Sequence, residues 1–262
     1  MRKLICLLVA VVGTVCAYGQ NKKGNFYLTW GYHTDRYTKS TIHFKDETHS
    51  NARDNYNFEL IKVTAHDRQD MHDLFRTAIS IPQYVLNIGY FFAEKPKWGI
   101  ELSWDHLKYI VTDGQTFHMK GTYNGMYHDV DTTFSPNWIH YEHTNGNNYL
   151  MASAVRKFQF FENTKVGTHL SLLVKAGAGG LVPKTDSRIF GLHNDGPFRL
   201  SGFVIGASTA VRYTLFKYLY VEGSVKGAFA DYTNAKVYEQ GRAKHTFFSV
   251  QYIYAAGFNI PI

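Results

Sequence analysis

The sequence predicts an all-β protein: an antiparallel, up-and-down transmembrane β-barrel of about eight strands, with short turns at one rim and long loops at the other. Three observations carry this. Apolar and polar residues alternate with period two over stretches well past ten residues, whereas ordinary strands run to about five or six. Aromatic residues make up 16% of the 262 residues and charged residues only 19%, a composition that excludes disorder. Past residue 19 no apolar run is long enough for a spanning helix, which excludes a helical membrane bundle.

The chain opens with Arg2 and Lys3, an apolar run over 4–17 and the small-x-small triplet Ala17-Tyr18-Gly19. That order is a secretory signal, so residues 1–19 are expected to be cleaved and 20–262 to form the barrel. Cys16 invites a lipoprotein reading, but Val15 stands where a lipobox needs a small residue. Both cysteines, Cys6 and Cys16, fall in this leader. The exported chain is therefore expected to hold no disulfide, thiolate metal site or cysteine nucleophile.

Strands are expected near 24–34, 82–93, 98–111, 147–161, 167–182, 198–215, 218–232 and 244–260. In the second, Tyr84, Leu86, Ile88, Tyr90 and Phe92 share a face; in the third, Ile100, Leu102 and Trp104 oppose Glu101, Ser103 and Asp105. In the fifth, Leu170, Leu172, Val174, Ala176 and Ala178 share a face; in the last, Phe248, Val250, Tyr252, Tyr254, Ala256 and Phe258 do. Successive strand residues point to opposite sides, so one face is apolar and the other carries Ser, Gly, Gln and single charges. This is the pattern of lipid outside and a polar lumen within. A soluble sandwich or lipocalin-like barrel would use shorter strands and bury the apolar face. Long links are expected at 35–81, 112–146, 183–197 and 233–243, and short ones at 94–97, 162–166 and 216–217. That alternation puts both termini on the short-turn, periplasmic side and the long loops outside. The run over 56–66 is also β-like and, as an extra membrane strand, would reverse the parity.

On these residues the chain resembles the small eight-stranded outer-membrane barrels of Gram-negative bacteria, such as the outer-membrane protein A transmembrane domain. The resemblance is one of architecture and covers nearly all of 20–262. In the last strand Tyr252, Tyr254, Phe258, Ile260 and Ile262 resemble the alternating terminal signal read by barrel-assembly machinery. Ile262 replaces the terminal aromatic, however, and Pro261 lacks an amide donor. The leader and the Tyr-rich strands look similar to exported barrels of the Bacteroidetes. The resemblance implies signal-dependent export to the outer membrane, assembly by that machinery, and contact with outer-membrane lipids and lipopolysaccharide.

Side chains fill the interior of an eight-stranded barrel. The inward set is expected to include Glu101, Asp105, Arg156, Lys175, Arg212, Glu222, Lys226 and Gln251, beside the small residues Gly177, Gly179, Gly202, Gly206, Ala207 and Ser208. Buried charges must pair, so Lys175 and Lys226 are expected to meet Glu222 and Glu101 in a network that plugs the lumen. Such a barrel would serve a structural or surface-interaction role. Two other roles stay open: a lipid-modifying enzyme acting on lipid A acyl chains, and a carrier of small hydrophobic molecules. Lipid A deacylases resembling this architecture carry His-x-Ser on one strand face. Here His143 is followed by Thr144 on the opposite face, and Asn145, on the same face, is no nucleophile. His33 and Asp105, with Ser103 or Thr29, form an alternative inward set near the outer rim. The 66–73 segment holds imidazoles and carboxylates, yet its spacing fits no defined metal site; neither a metal nor a cofactor is expected. Lys39, Lys45, Arg53 and Lys120 could meet lipopolysaccharide phosphates. The formal charge is +7, but no basic stripe, ribonucleoprotein motif or zinc-finger spacing points to nucleic acid.

Overall fold

The computed structural model describes residues 24–51, 53–68, 82–133 and 135–262. The expected leader, with both cysteines, and most of the 66–73 segment lie outside the described residues. The strands, in chain order, are β1 (Asn25–Tyr37), β2 (Ser40–Asp46), β3 (Tyr56–Val63), β4 (Ala65–His66), β5 (Tyr84–Phe91), β6 (Trp98–Val111), β7 (Phe117–Tyr123) and β8 (Met126–Thr132). They continue with β9 (Ile139–Asn163), β10 (Thr168–Pro183), β11 (Asp186–Ile189), β12 (Leu192–Asp195), β13 (Gly202–Leu215), β14 (Leu219–Lys236) and β15 (Arg242–Pro261).

Eight of them close into a ring in the order β1-β5-β6-β9-β10-β13-β14-β15, every neighbouring pair antiparallel. The ring shuts where β15 returns to β1, paired from Asn25↔Pro261 to Tyr37↔Ser249, so its wall leaves no unpaired edge. These are the eight strands that the period-two pattern predicts. On β15, Phe248, Val250, Tyr252, Tyr254 and Phe258 are exposed while Phe247, Ser249, Gln251 and Ile253 are buried. On β13, Phe203, Ile205, Val211 and Tyr213 point out, and Val204, Ala210, Arg212 and Thr214 point in. The exposed apolar face runs round the whole ring, from Trp30 and Ile88 through Ile100, Leu102 and Leu150 to Val174 and Val221. An apolar band of this extent is far beyond what a soluble monomer shows to water and is what a lipid-facing barrel needs. At the upper rim Trp30 stacks on Tyr84 at 4.8 Å between ring centroids, and Trp104 meets Tyr84 edge-on at 5.6 Å.

Two residues expected inside point outward. Val155 is fully buried, so its neighbour Arg156 must face the other way. Its guanidinium lies over Trp98 at 4.6 Å and Phe158 at 5.4 Å, where a long stem can carry the charge to the interface. Ala207 is likewise on the outer face, its flanking residues Gly206 and Ser208 lining the interior.

The three longest expected loops carry strands of their own. β2, β3, β7 and β8 extend the top of β15, where Arg242–Lys244 pair with residues 43–45. β11 adds to the upper end of β9 and carries β12, and β4 adds to β6. The run over 56–66 is thus β3 and β4, above the rim rather than in the ring. Asn124 and Gly125, both at positive φ, turn β7 back into β8 as a two-residue hairpin requires. These upper strands enclose an apolar core of Ile42, Phe44, Phe58, Leu60, Met119 and Tyr141. It continues down into the barrel through Tyr109, Tyr232 and Phe247. A smaller cluster of Tyr27, Phe91, Val155, Leu173, Ala210 and Tyr220 closes the lower lumen.

Candidate functional site

The middle of the lumen is a chain of ion pairs. The Arg212 guanidinium lies between the rings of Tyr27 (4.5 Å) and Tyr220 (3.9 Å). Its Nε donates to Glu222 Oε2 at 2.7 Å. Lys175 Nζ donates to Glu222 Oε1 at 3.2 Å and to Glu101 Oε2 at 2.8 Å, and the Tyr27 hydroxyl donates to Glu101 at 2.8 Å. Two acids and two bases alternate along this chain, all buried, and that geometry keeps buried charges tolerable. Room for the flanking rings comes from missing side chains: a Cβ on Gly89 would collide with the Tyr27 ring and one on Gly257 with Tyr220.

Lys226 meets Asp105 rather than either glutamate. The register explains it. Lys226 lies opposite Gln251 and Ser208, above the level of Glu222, which lies opposite Ala255 and Arg212. From that height its ammonium reaches Asp105 on β6. Between the two groups of charges the lumen keeps a cavity of about 20 Å³, lined by Asn87, Ser103, Ser153, Ser208 and Ser224. That is room for about one water.

Among the described residues no hydrogen bond or ion pair joins the rim residues His33, Asp105 and His143 to one another. His33 Nδ1 lies 3.0 Å from Asp35, and Asp105 is taken by Lys226. Thr29 shares a hydrogen bond with the Tyr220 hydroxyl at 2.7 Å, and Ser103 stands at the small cavity. His143 lies elsewhere, above the belt and fully buried. Its Nε2 is 3.2 Å from the Tyr141 hydroxyl and its Nδ1 3.1 Å from Thr185 Oγ1, and its ring stacks on Tyr232 at 5.0 Å. Burial pushes this imidazole down to about 3. Next to it His245, which also stacks on Tyr232 (4.6 Å), is held well below its usual value by burial and by His143. No motif in the sequence marks His245, although its parity with Phe247 and Ser249 places it inside.

The upper strands form a second feature that sequence reasoning did not find: a cleft of about 440 Å³ with walls from Tyr56, Tyr123, Trp138 and Phe190 and polar groups from Arg53 and Glu239. Phe190 and Gly191 make the β11–β12 turn with φ of 53° and 82°. A two-residue turn of this kind takes positive φ at both positions, and an aromatic residue there is unusual. The ring is held by packing: it stacks on Tyr123 at 4.7 Å and lies 5.7 Å from both Tyr56 and Trp138.

No family model matches the chain, and no curated protein matches it in sequence. Solved structures are similar to it at low identity. The outer membrane protein OprG from Pseudomonas aeruginosa is 11% identical over 91% of this chain and 97% of its own, with a TM-score of 0.42. The attachment invasion locus protein Ail of Yersinia pestis, in complex with the heparin analogue sucrose octasulfate, is 11% identical over 90% of this chain and 99% of its own, at 0.33. The outer membrane protein AlkL in lipid bilayers is 9% identical over 92% of each chain, at 0.36. The register of the chain's own strands gives its class: a closed, eight-stranded, antiparallel β-barrel with an apolar outer belt.

Proposed function

We propose that the chain is an outer-membrane β-barrel, exported by its leader, with a plugged lumen and a surface-interaction role carried by the β-structure above the rim. One contrast carries this reading: the middle of the lumen retains about 20 Å³, whereas the cleft above it opens about 440 Å³ walled by aromatic rings and polar groups. The first is too small for a solute path. The second is within the range of small-molecule and recognition sites, and its mixture of aromatic faces with an arginine and a carboxylate suits surface recognition. Outer-membrane lipids would cover the belt, lipopolysaccharide would surround the upper rim, and barrel-assembly machinery would read the alternating last strand.

The experiment is reconstitution of the purified chain in planar bilayers and liposomes, beside fractionation of the cells that make it. The reading expects recovery in the outer-membrane fraction, heat-modifiable migration on gels and no steady ion conductance. A stable open-channel conductance would overturn the plugged lumen, and recovery as a soluble periplasmic protein would overturn the membrane assignment.

A further inference from the structure

At the short-turn end, the lumen faces of β9, β10 and β13 bring donor groups together. Ser171 lies opposite Arg212 and His169 opposite Thr214, while Lys157 lies opposite Leu173 on the other side of β10. With Lys217 from the β13–β14 turn, these five line a cavity of about 240 Å³ at the barrel mouth, and no carboxylate lines it. We propose that this mouth binds a phosphate-type oxyanion.

Charge balance is the first argument. Within the barrel Arg212 and Lys175 are matched by Glu222 and Glu101, and Lys226 by Asp105. Lys157 is in no ion pair among the described residues; its ammonium sits over the Phe91 ring at 4.5 Å. Glu162, the carboxylate in its field, accepts a hydrogen bond from Gln159 at 2.8 Å. Lys217 adds a further positive charge. The mouth therefore carries an excess of positive charge inside a confined space, where an anion is attracted most strongly.

Unmet hydrogen bonding is the second argument, and it is independent of the first. Thr214 is 0% exposed and Ser171 1%. Both residues line the cavity, and neither hydroxyl has a hydrogen-bond partner among the described residues. Buried hydroxyls are nearly always bonded, and each has a proton to donate. The two unmet hydroxyls, with an ammonium, a guanidinium and an imidazole, outnumber the one unmet acceptor of the lining, Asn25 Oδ1, so the set is dominated by donors. The matching ligand is rich in acceptors and negatively charged. A phosphate group presents acceptors in several directions, which suits donors arriving from three strands and a turn. The volume holds that group with a short substituent attached. Two sources have this chemistry: free inorganic phosphate, and the headgroup of an anionic phospholipid from the leaflet around the mouth.

The test uses the refolded barrel in zwitterionic detergent. Its thermal midpoint is followed against inorganic phosphate, with chloride at matched ionic strength as reference. A ligand that binds only the folded state raises the midpoint in a saturable way. The site predicts such a rise with phosphate, and about a tenfold or greater loss of apparent affinity in Lys157→Gln. Thr214→Val keeps the volume and removes an unmet hydroxyl. It is expected to leave the phosphate-free midpoint unchanged or higher while still weakening phosphate binding. Lys95→Gln, on the exposed β5–β6 turn, should bind as the parent does. Native mass spectrometry of barrel extracted from membranes separates the sources. Retained anionic phospholipid that Lys157→Gln loses identifies the lipid; saturable phosphate binding without retained lipid identifies the free ion. Equal midpoints in phosphate and chloride with no retained lipid would overturn the proposal. A phosphate response that Lys157→Gln and Thr214→Val both preserve would do the same.

Discussion

Single ionisable side chains decide how this barrel responds to mutation and to pH. Glu222 binds both Arg212 and Lys175, so Glu222→Ala leaves two buried cations sharing what remains of the network. The expected cost is about 3–5 kcal/mol, read as a lowered urea midpoint, against little change for the exposed Lys39→Ala. An equal midpoint for the two variants would mean that water reaches Glu222. Above the belt, His143 and His245 are neutral in the folded protein because burial depresses both. Below the ordinary histidine pKa of about 6.5 the unfolded chain takes up protons that the folded chain refuses. Stability should therefore fall as pH drops from about 6.5 towards 4, by up to about 1.4 kcal/mol per pH unit for each ring. His245→Phe keeps the ring on Tyr232 and should flatten that slope in denaturation curves taken at several pH values. His140 works in the opposite sense. Its hydrogen bonds to Glu142 and then Asp113 raise it to about 9. What it contributes is complete below about 6.5 and is lost as pH rises through 9.

Among the elements, the ring strands were legible because each must keep one face for lipid and one for the lumen, in all but β5 over more than a dozen residues, and that writes a long period-two signal. Of the strands above the rim, only the run over 56–66 that forms β3 and β4 was legible as β. β2, β7 and β8 span seven residues each and β11 and β12 four, and with mixed faces they look like polar loop. The turn at Phe190 gave no sign, since an aromatic residue is not what a positive-φ position leads one to expect. The lumen was legible as a set of inward charges but not as pairs: parity says which face a residue takes, while height in the barrel, which put Lys226 with Asp105, depends on register. Arg156 faces outward although its charge suggests the lumen, because the buried Val155 beside it sets the parity of β9. Glycine in the wall has a definite steric role in β5. Gly89→Ala should force the Tyr27 ring off its position beside Glu101 and lower stability by about 1–3 kcal/mol. Gly223→Ala, on the outer face of β14 with open space around its Cβ position, should change it little, and urea unfolding of the two variants compares them directly.

The molecule as a whole joins three parts: a lipid-facing ring, a lumen filled by an ion network below and an aromatic core above, and a β-structure continuous with that core. The continuity has a consequence. Because Tyr232 and Phe247 belong to the same apolar cluster as Phe44 and Phe58, the upper structure should unfold with the barrel rather than before it. A peptide tag at the Asn124–Gly125 turn should be reached by antibody on intact cells, and one within 94–97 only after the membrane is breached. The central claim is the orientation of the wall, and single cysteines placed along β15 of the chain from residue 20 onward test it most directly. In liposomes, probes at 250, 252 and 254 should be quenched by lipid-soluble reagents and shielded from water-soluble ones, while probes at 249, 251 and 253 should be shielded from both. Ready labelling of 252 and 254 by a water-soluble reagent, or lipid quenching at 251 and 253, would contradict it.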